Sequence, residues 1–313
     1  MDPKIYQTVK EEYAERRRKA QLEADERRYE VYAKLPELKK YDSEMLFLAR
    51  TLVGAGDKAY EKLNRIEELT RLRAEALKKS GYPEDYTSPK YSCPECNDTG
   101  YKGTQMCNCI KVKMRLEALK MSGLGKLAET QRFDNFSLDY YSGASRDTIE
   151  RNVSALRGFA ESFSVSSDRN FILLGGTGLG KTHLSTAVAV AVIGRGYDVV
   201  YTTVINMLDD FEKKRFSSSH AENETVTDRY FDCDLLIIDD LGSELGTQFT
   251  VSALYNLLNT RLNEGKPTIV NTNLSPSDLQ TKYDSRITSR ILGNFSTLIF
   301  KGEDVRLQKL MKR

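Results

Sequence analysis

Short, unbroken apolar runs alternate with stretches of helical spacing through the C-terminal part of the chain. The runs at 170–175, 198–202, 234–239, 268–272 and 296–300 have the length of strands buried on both faces, and the segments between them can hold crossover helices. Five such strands predict a parallel sheet covered on both sides, a three-layer α/β domain. A further helix is expected over 146–163. The N-terminal part reads differently. Asp2-Pro3 forms a helix start, and no breaker follows until Pro36, so the first helix is long. Its apolar stripe (Tyr6, Val9, Tyr13, Ala20, Ala24, Val31, Leu35) is thin among dense charges of both signs, which fits a solvated arm as well as a docking face. A second helix is expected from Asp42 or Ser43 to the glycines at 54–56. A third runs from 57 to 80–81 with Leu63, Ile66, Thr70, Ala74 and Leu77 on one face. Together they predict a helical region over 1–90.

The stretch 83–89 is rich in turn formers and reads as a short linker. It leads into Cys93-Pro94-Glu95-Cys96 and then Cys107-Asn108-Cys109. Four thiols on so short a loop suit a tetrahedral Zn²⁺ site, and Asn97-Asp98-Thr99-Gly100 lets the chain reverse around an ion. The first pair has the usual ligand spacing. The second, with one residue between ligands, strains it, and free thiols or a redox pair are the competing readings. Cys233 reads as a plain buried thiol. The zinc-binding module is expected over 91–125, with a helix over 110–122.

The run at 170–174 ends in Gly175-Gly176-Thr177-Gly178-Leu179-Gly180-Lys181-Thr182, which matches GxxxxGK[ST] at every fixed position. A strand before it and an Ala- and Val-rich helix after it, over 183–194, are the context a phosphate loop needs. Gly175, Gly178 and Gly180 allow positive φ, so that backbone N–H groups and a helix N-terminus converge on phosphates. Lys181 would meet the β- and γ-phosphates of ATP, and Thr182 would ligate Mg²⁺. The run 235–238 ends in Asp239-Asp240. The first carboxylate can hold the Mg²⁺ water shell and the second can orient the attacking water, whereas a helix cap is the plainer reading. The strand at 267–273 ends in Asn273, whose amide can sense the γ-phosphate. Positive charge at the transition state beyond Lys181 could come from Arg286, Arg290 or Arg306. Phe133 and Phe136 either wall the adenine pocket or staple two domains together.

The composition narrows the class. Charged residues make up 29% of 313 residues, yet the formal net charge is +2, so any nucleic-acid contact must come from a local patch. No apolar run approaches ~18 residues, and the N-terminus carries no export signal. A cytoplasmic protein without a membrane span is expected, and four clustered cysteines in that setting favour metal over disulfides.

The phosphate loop followed by His183, LLIIDDLG at 235–242, TIVNTNL at 268–274 and SRITSRILGNF at 285–295 resemble the AAA+ core of bacterial helicase loaders of the DnaC/DnaI type. CPECNDTGY at 93–101 with CNC at 107–109 is similar to the cysteine cluster of DnaI-like ATP-binding proteins. The resemblance spans about 90–310 and implies an AAA+ ATPase domain over 126–313. It makes His183 part of the nucleotide site, Asn273 the sensor-1 residue, Arg290 the arginine finger, with Arg286 competing, and Arg306 a sensor-2-like arginine. It implies loading of a replicative DnaB-type helicase onto single-stranded DNA in replication, with ATP-dependent self-association into a homo-oligomer. The stretch 208–216, with Lys213, Lys214 and Arg215 between Phe211 and Phe216, lies where loaders place a strand-binding element. It reads equally as a solvated helix. Asp240 stands where many AAA+ ATPases have Glu, which implies slow turnover. The few residues after Phe300 imply that the C-terminal helical lid is missing. The rival readings are an IstB-like ATPase assisting a transposase on duplex DNA and an adaptor that binds ATP without hydrolysing it.

Overall fold

The structure is a computed structural model that describes residues 3–52, 58–166, 169–216 and 220–311. It divides into two compact units, 1–110 and 111–313. Among the described residues no helix is long and apolar enough to cross a membrane.

The first unit is helical. α1 (Pro3–Lys34), α2 (Pro36–Arg50) and α3 (Ala59–Lys79) are followed by a hairpin of β1 (Tyr101–Lys102) and β2 (Gln105–Met106). α1 buries only a sparse line of residues, Ile5, Val9, Tyr13, Ala20, Ala24 and Val31. Val31 packs with Leu38 of α2 and Leu77 of α3 in a small core. The second helix begins at Pro36, earlier than the expected Asp42 or Ser43, because Pro36 occupies the first turn, where its missing N–H costs nothing. The expected stop at 54–56, the start at 57 and Asp2 lie outside the described residues.

The second unit carries the sheet. After α4 (Asn108–Leu119), α5 (Leu127–Thr130) and α6 (Gly143–Glu161) come β3 (Asn170–Leu174), α7 (Lys181–Gly194), β4 (Val199–Thr203), α8 (Val204–Phe216), α9 (His220–Asp232) and β5 (Leu235–Leu241). Then follow α10 (Gln248–Asn263), β6 (Thr268–Thr272), α11 (Pro276–Lys282), α12 (Ser285–Asn294), β7 (Phe295–Ile299) and the short α13 (Val305–Met311). All five strands are parallel, in the order β4-β5-β6-β3-β7. The phosphate-loop strand β3 therefore lies between β6 and β7.

Alternation along the strands makes the layers. Phe171 and Leu173 point into one core with Ile149, Leu156 and Phe159 of α6 and Leu184 and Val188 of α7. Ile172 and Leu174 point into the other with Met207 of α8, Leu254 and Leu257 of α10, and Ile287 and Ile291 of α12. Leu119 and Leu124 belong to the first of these cores. The three-layer α/β sheet expected from the sequence is present, and among the described residues α13 is the one element after β7.

Candidate functional site

β3 delivers the chain to the loop that turns into α7. Gly178 and Gly180 take φ of 73° and 87°. A Cβ on Gly178 would collide with the Asp304 carboxylate, and one on Gly180 would lie 2.8 Å from the Phe136 ring and 2.9 Å from the Tyr141 hydroxyl. Only glycine fits both the dihedrals and the space. The loop is thus clasped on one side by Phe136 and Tyr141, whose hydroxyl donates to the Leu179 carbonyl at 3.0 Å. On the other side the chain after β7 closes over it, with Val305 N donating to Gly178 O at 3.0 Å.

Lys181 is buried, and its ammonium donates to Gly175 O at 2.6 Å, Gly176 O at 2.7 Å and Asn273 Oδ1 at 2.7 Å. Burial lowers its pKa, while Asp239 and Asp240 act the other way. A buried cation whose close acceptors are three neutral oxygens, at the N-terminus of a 14-residue helix, is a site built for an anion. The residues present therefore fit a nucleotide's phosphates. His183 Nε2 lies 2.9 Å from Arg132 O, and its ring meets Phe136 edge-on at 5.1 Å. Phe136 thus stands at the loop itself, while Phe133 packs on the core beneath the Arg157 guanidinium.

Asp239, at the end of β5, is held by a buried network. Tyr201 on β4 donates to its Oδ2 at 2.6 Å, and Asn271 on β6 donates to its Oδ1 at 2.9 Å. Asp240 N also donates to Oδ1, at 3.0 Å, and Ser185 of α7 bridges Asn271 and Tyr201. Burial and the neighbouring carboxylate push the Tyr201 phenol well above its ordinary value, so it stays a donor. Asp240 is exposed and takes a left-handed φ of 56°, a conformation that only short polar side chains tolerate cheaply. Partial burial and Asp239 raise its pKa, against the pull of Lys181 and Arg306. Beyond it the buried Glu244 accepts from Gly242 N at 2.9 Å and from the Tyr283 hydroxyl, while Lys282 donates to Gly242 O at 2.5 Å. The tip of β5 is thereby tied to the end of α11.

The fold brings Lys181, Asp239, Asp240, Asn273 and the phosphate loop, Gly175 to Thr182, to one end of the sheet, and the Arg306 charge is felt there by both Lys181 and Asp240. It does not bring Arg290. That side chain donates to Asn259 Oδ1 at 2.8 Å, lies over the Tyr255 ring, and borders a cavity that also includes Asn170, at the opposite end of β3. Arg286 is exposed and paired with Asp284 at 2.9 Å. Tyr141, Tyr201, Ser185 and Asn271 were not singled out from sequence; the polar residues inside otherwise apolar strands, Tyr201 and Asn271, were the signal available.

On α8, Lys213, Lys214 and Arg215 are exposed, but Phe211 turns inward against Tyr230 and Phe231, at 5.8 and 6.0 Å. Phe211 is half-buried there, with its ring packed on the α9 aromatics and not standing free beside the cations. The Phe216 side chain and residues 217–219 lie outside what the structure describes. Cys233 is buried.

In the first unit the four sulfurs of Cys93, Cys96, Cys107 and Cys109 lie within 4.8 Å of one another and form no disulfide. Cys93 and Cys107 are 3.9 Å apart, and Cys96 and Cys109 3.5 Å. A tetrahedral Zn²⁺ with bonds of about 2.3 Å requires sulfur separations of about 3.8 Å, so the four residues fit zinc. Asn97 and Asp98 take φ of 49° and 55° to make the reversal. The Cys96 amide, donating to the Cys93 sulfur, leads in pulling that thiol down to about 7.

A family profile described as IstB-like ATP binding protein matches residues 111–312, nearly the whole of the second unit. The chain is 24% identical over 189 residues to the replicative helicase loader DnaC of Buchnera aphidicola subsp. Acyrthosiphon pisum, covering 60% of this chain and 74% of that protein. It is 34% identical over 118 residues to the chromosomal replication initiator protein DnaA of Aliarcobacter butzleri, spanning 38% of this chain and only 26% of that protein. A crystal structure of the DnaC helicase loader superposes with a TM-score of 0.50 at 20% identity, covering 56% of this chain and all of that one, a likeness of fold. With its P-loop sheet and the match across its second unit, the chain belongs to the IstB-like ATP binding proteins.

Proposed function

We propose that this chain is an ATP-dependent loader that places a replicative DnaB-type helicase on single-stranded DNA in the cytoplasm. Residues 1–90 and the cysteine module at 91–125 grip the helicase, and 126–313 form the ATPase. The observation that carries the ATP part is the convergence of Lys181, Asp239, Asp240 and Asn273 on one phosphate loop. The loader part is supported by similarity to replicative helicase loaders along about three quarters of their length.

In this reading the loop from Gly175 to Thr182 wraps the phosphates with backbone N–H groups. Lys181 exchanges its carbonyl partners for β- and γ-phosphate oxygens, and His183 and Phe136 close the site. Thr182 and Asp239 would hold a Mg²⁺ ion, which would supply charge neutralisation for the phosphate oxygens. Tyr201 and Asn271 fix the orientation of Asp239. Asp240 orients the attacking water; as the water oxygen bonds to the γ-phosphorus, the bridging P–O bond breaks, ADP leaves with the electron pair, and the water's proton passes through Asp240 to solvent. Asn273 reports whether the γ-phosphate is present, and Arg306 offsets charge from the same side. The shorter reach of Asp240 makes turnover slow.

Phosphate release should be measured with and without single-stranded DNA, alongside recovery of bound protein in the presence of ATP. The reading expects DNA-dependent hydrolysis and a DnaB-type helicase as partner. Recovery of a transposase would favour the IstB-like rival, and ATP binding without phosphate release would leave an adaptor.

A further inference from the structure

The cysteine cluster does not end at its four sulfurs. Asp98 is 1% exposed, and its carboxylate accepts from Ser92 N at 2.8 Å and Cys93 N at 2.9 Å, which holds the first ligand turn in shape. Its ion-pair partner comes from α1: Arg16 lies 3.7 Å from Asp98 and 4.1 Å from the centre of the Tyr13 ring. Tyr13 is itself buried, and its hydroxyl lies near enough to the Cys109 sulfur for the two groups to influence each other. Two turns earlier, the Tyr6 and Tyr101 hydroxyls meet at 2.7 Å. The buried Ile5, Val9 and Tyr13 recur at four-residue spacing, so the first half of α1 has one buried face, and Tyr6, Arg16 and Arg17 beside it reach Tyr101, Asp98 and Tyr91 of this module.

Two physical arguments connect that face to a metal. A divalent ion on four thiolates leaves a net charge of −2, which needs donors and positive charge around it. Tyr13 supplies a donor, and Arg16 supplies a guanidinium whose Nε is buried with no acceptor of its own. Second, the segment around the cysteines has strands of only two residues each, too little apolar surface to order itself. Without an ion to gather the thiolates, α1 loses the ordered segment that Tyr6 and Arg16 contact through Tyr101 and Asp98. Its second half is held independently, by Arg27 donating to Tyr86 O at 2.7 Å and Ser88 O at 3.0 Å and by Val31 in the core with Leu38 and Leu77.

We infer that Tyr13 and Arg16 form the outer shell of a metal centre at Cys93, Cys96, Cys107 and Cys109, and that metal loading fastens residues 3–18 of α1 to the cysteine module. The inference rests on the reading of the four cysteines as a metal site. Full-length protein is stripped with a chelator, reloaded with Zn²⁺ or Co²⁺, and followed by amide hydrogen exchange. Stripping should expose residues 3–18 while 27–34 and β3 keep their protection. Tyr13→Phe, which keeps the ring, should release metal to a chromogenic chelator on the order of tenfold faster than the parent. Retention of protection at 3–18 after stripping, or parental release from Tyr13→Phe, overturns the proposal. Loss of protection in β3 as well overturns it too, because the effect is then global unfolding. Added Co²⁺ separates the levels: without thiolate-to-metal bands the metal reading itself fails, and with them but no change in α1 only the fastening fails.

Discussion

Asp240 combines a left-handed backbone with a carboxyl pKa raised by burial and by Asp239. Held in that conformation at the tip of β5, its side chain is the exposed member of the acidic pair, while Asp239 is buried with both oxygens in use. The two should fail differently. Lys181→Ala should abolish nucleotide binding, whereas Asp240→Asn should bind ATP as the parent does and lose hydrolysis, as read by equilibrium binding and phosphate release. Asp240→Asn hydrolysing at the parental rate would reverse the division of labour. The acid limb of the hydrolysis profile should lie above the ordinary Asp value of about 3.9. A raised folded pKa means that ionising Asp240 costs stability, a cost absent in acid that grows as pH rises from the unfolded value to the folded one and is full above it. Asn also accepts positive φ, so Asp240→Asn without nucleotide should melt higher than the parent at neutral pH and gain less in acid. The carboxylate pair and the loop lysine were legible in sequence because their chemistry is local. The Tyr201–Asp239–Asn271 network was not, because its members stand on three strands and meet only through the register of the sheet.

Boundaries of elements follow the same division. The strands were legible from runs of apolar residues, since a strand buried on both faces needs no alternation. The start of α2 falls at Pro36 and not at Asp42 or Ser43, because proline in a first turn begins a helix and does not break one. Arg261 on α10 gives an element-scale case invisible in the sequence. It is 1% exposed and donates to the carbonyls of Tyr230 at 3.0 Å, Phe231 at 3.1 Å, Cys233 at 3.1 Å and Pro267 at 2.7 Å. One guanidinium thus ties the end of α9 to the entrance of β6. Burial lowers its pKa, as expected for a cation satisfied by neutral oxygens. Arg261→Met keeps much of the volume but strands those carbonyls, and it should cost about 3 kcal/mol. Urea denaturation should show a lower midpoint at an unchanged slope.

At the scale of the whole molecule, the placement of Arg290 matters most. Beside Asn259 and in the cavity with Asn170, it stands at the end of the sheet away from its own phosphate loop. If it acts on ATP, the ATP belongs to another copy. Arg290→Ala should bind ATP yet hydrolyse it poorly, by a factor on the order of 10³, and mixing it with Lys181→Ala should restore phosphate release. Failure of Arg290 and Arg286 variants alike to complement would remove the composite site. The strand order has a consequence of another kind. β3 is made early but is flanked by β6 and β7, so its Asn170 waits for Thr268, 98 residues on, and Asn152 of α6 waits for Ile299, 147 residues on. Loop closure over such distances is slow, and it comes late when a chain emerges from the ribosome in order. Throughout that interval the apolar strand ahead of the phosphate loop has no neighbour, while the three-helix unit before it is already complete. The nascent chain is therefore most exposed to aggregation and to chaperone capture between synthesis of its first and last strands, and a ribosome stalled ahead of residue 268 should hold a folded first unit and an ATP site that has not yet formed.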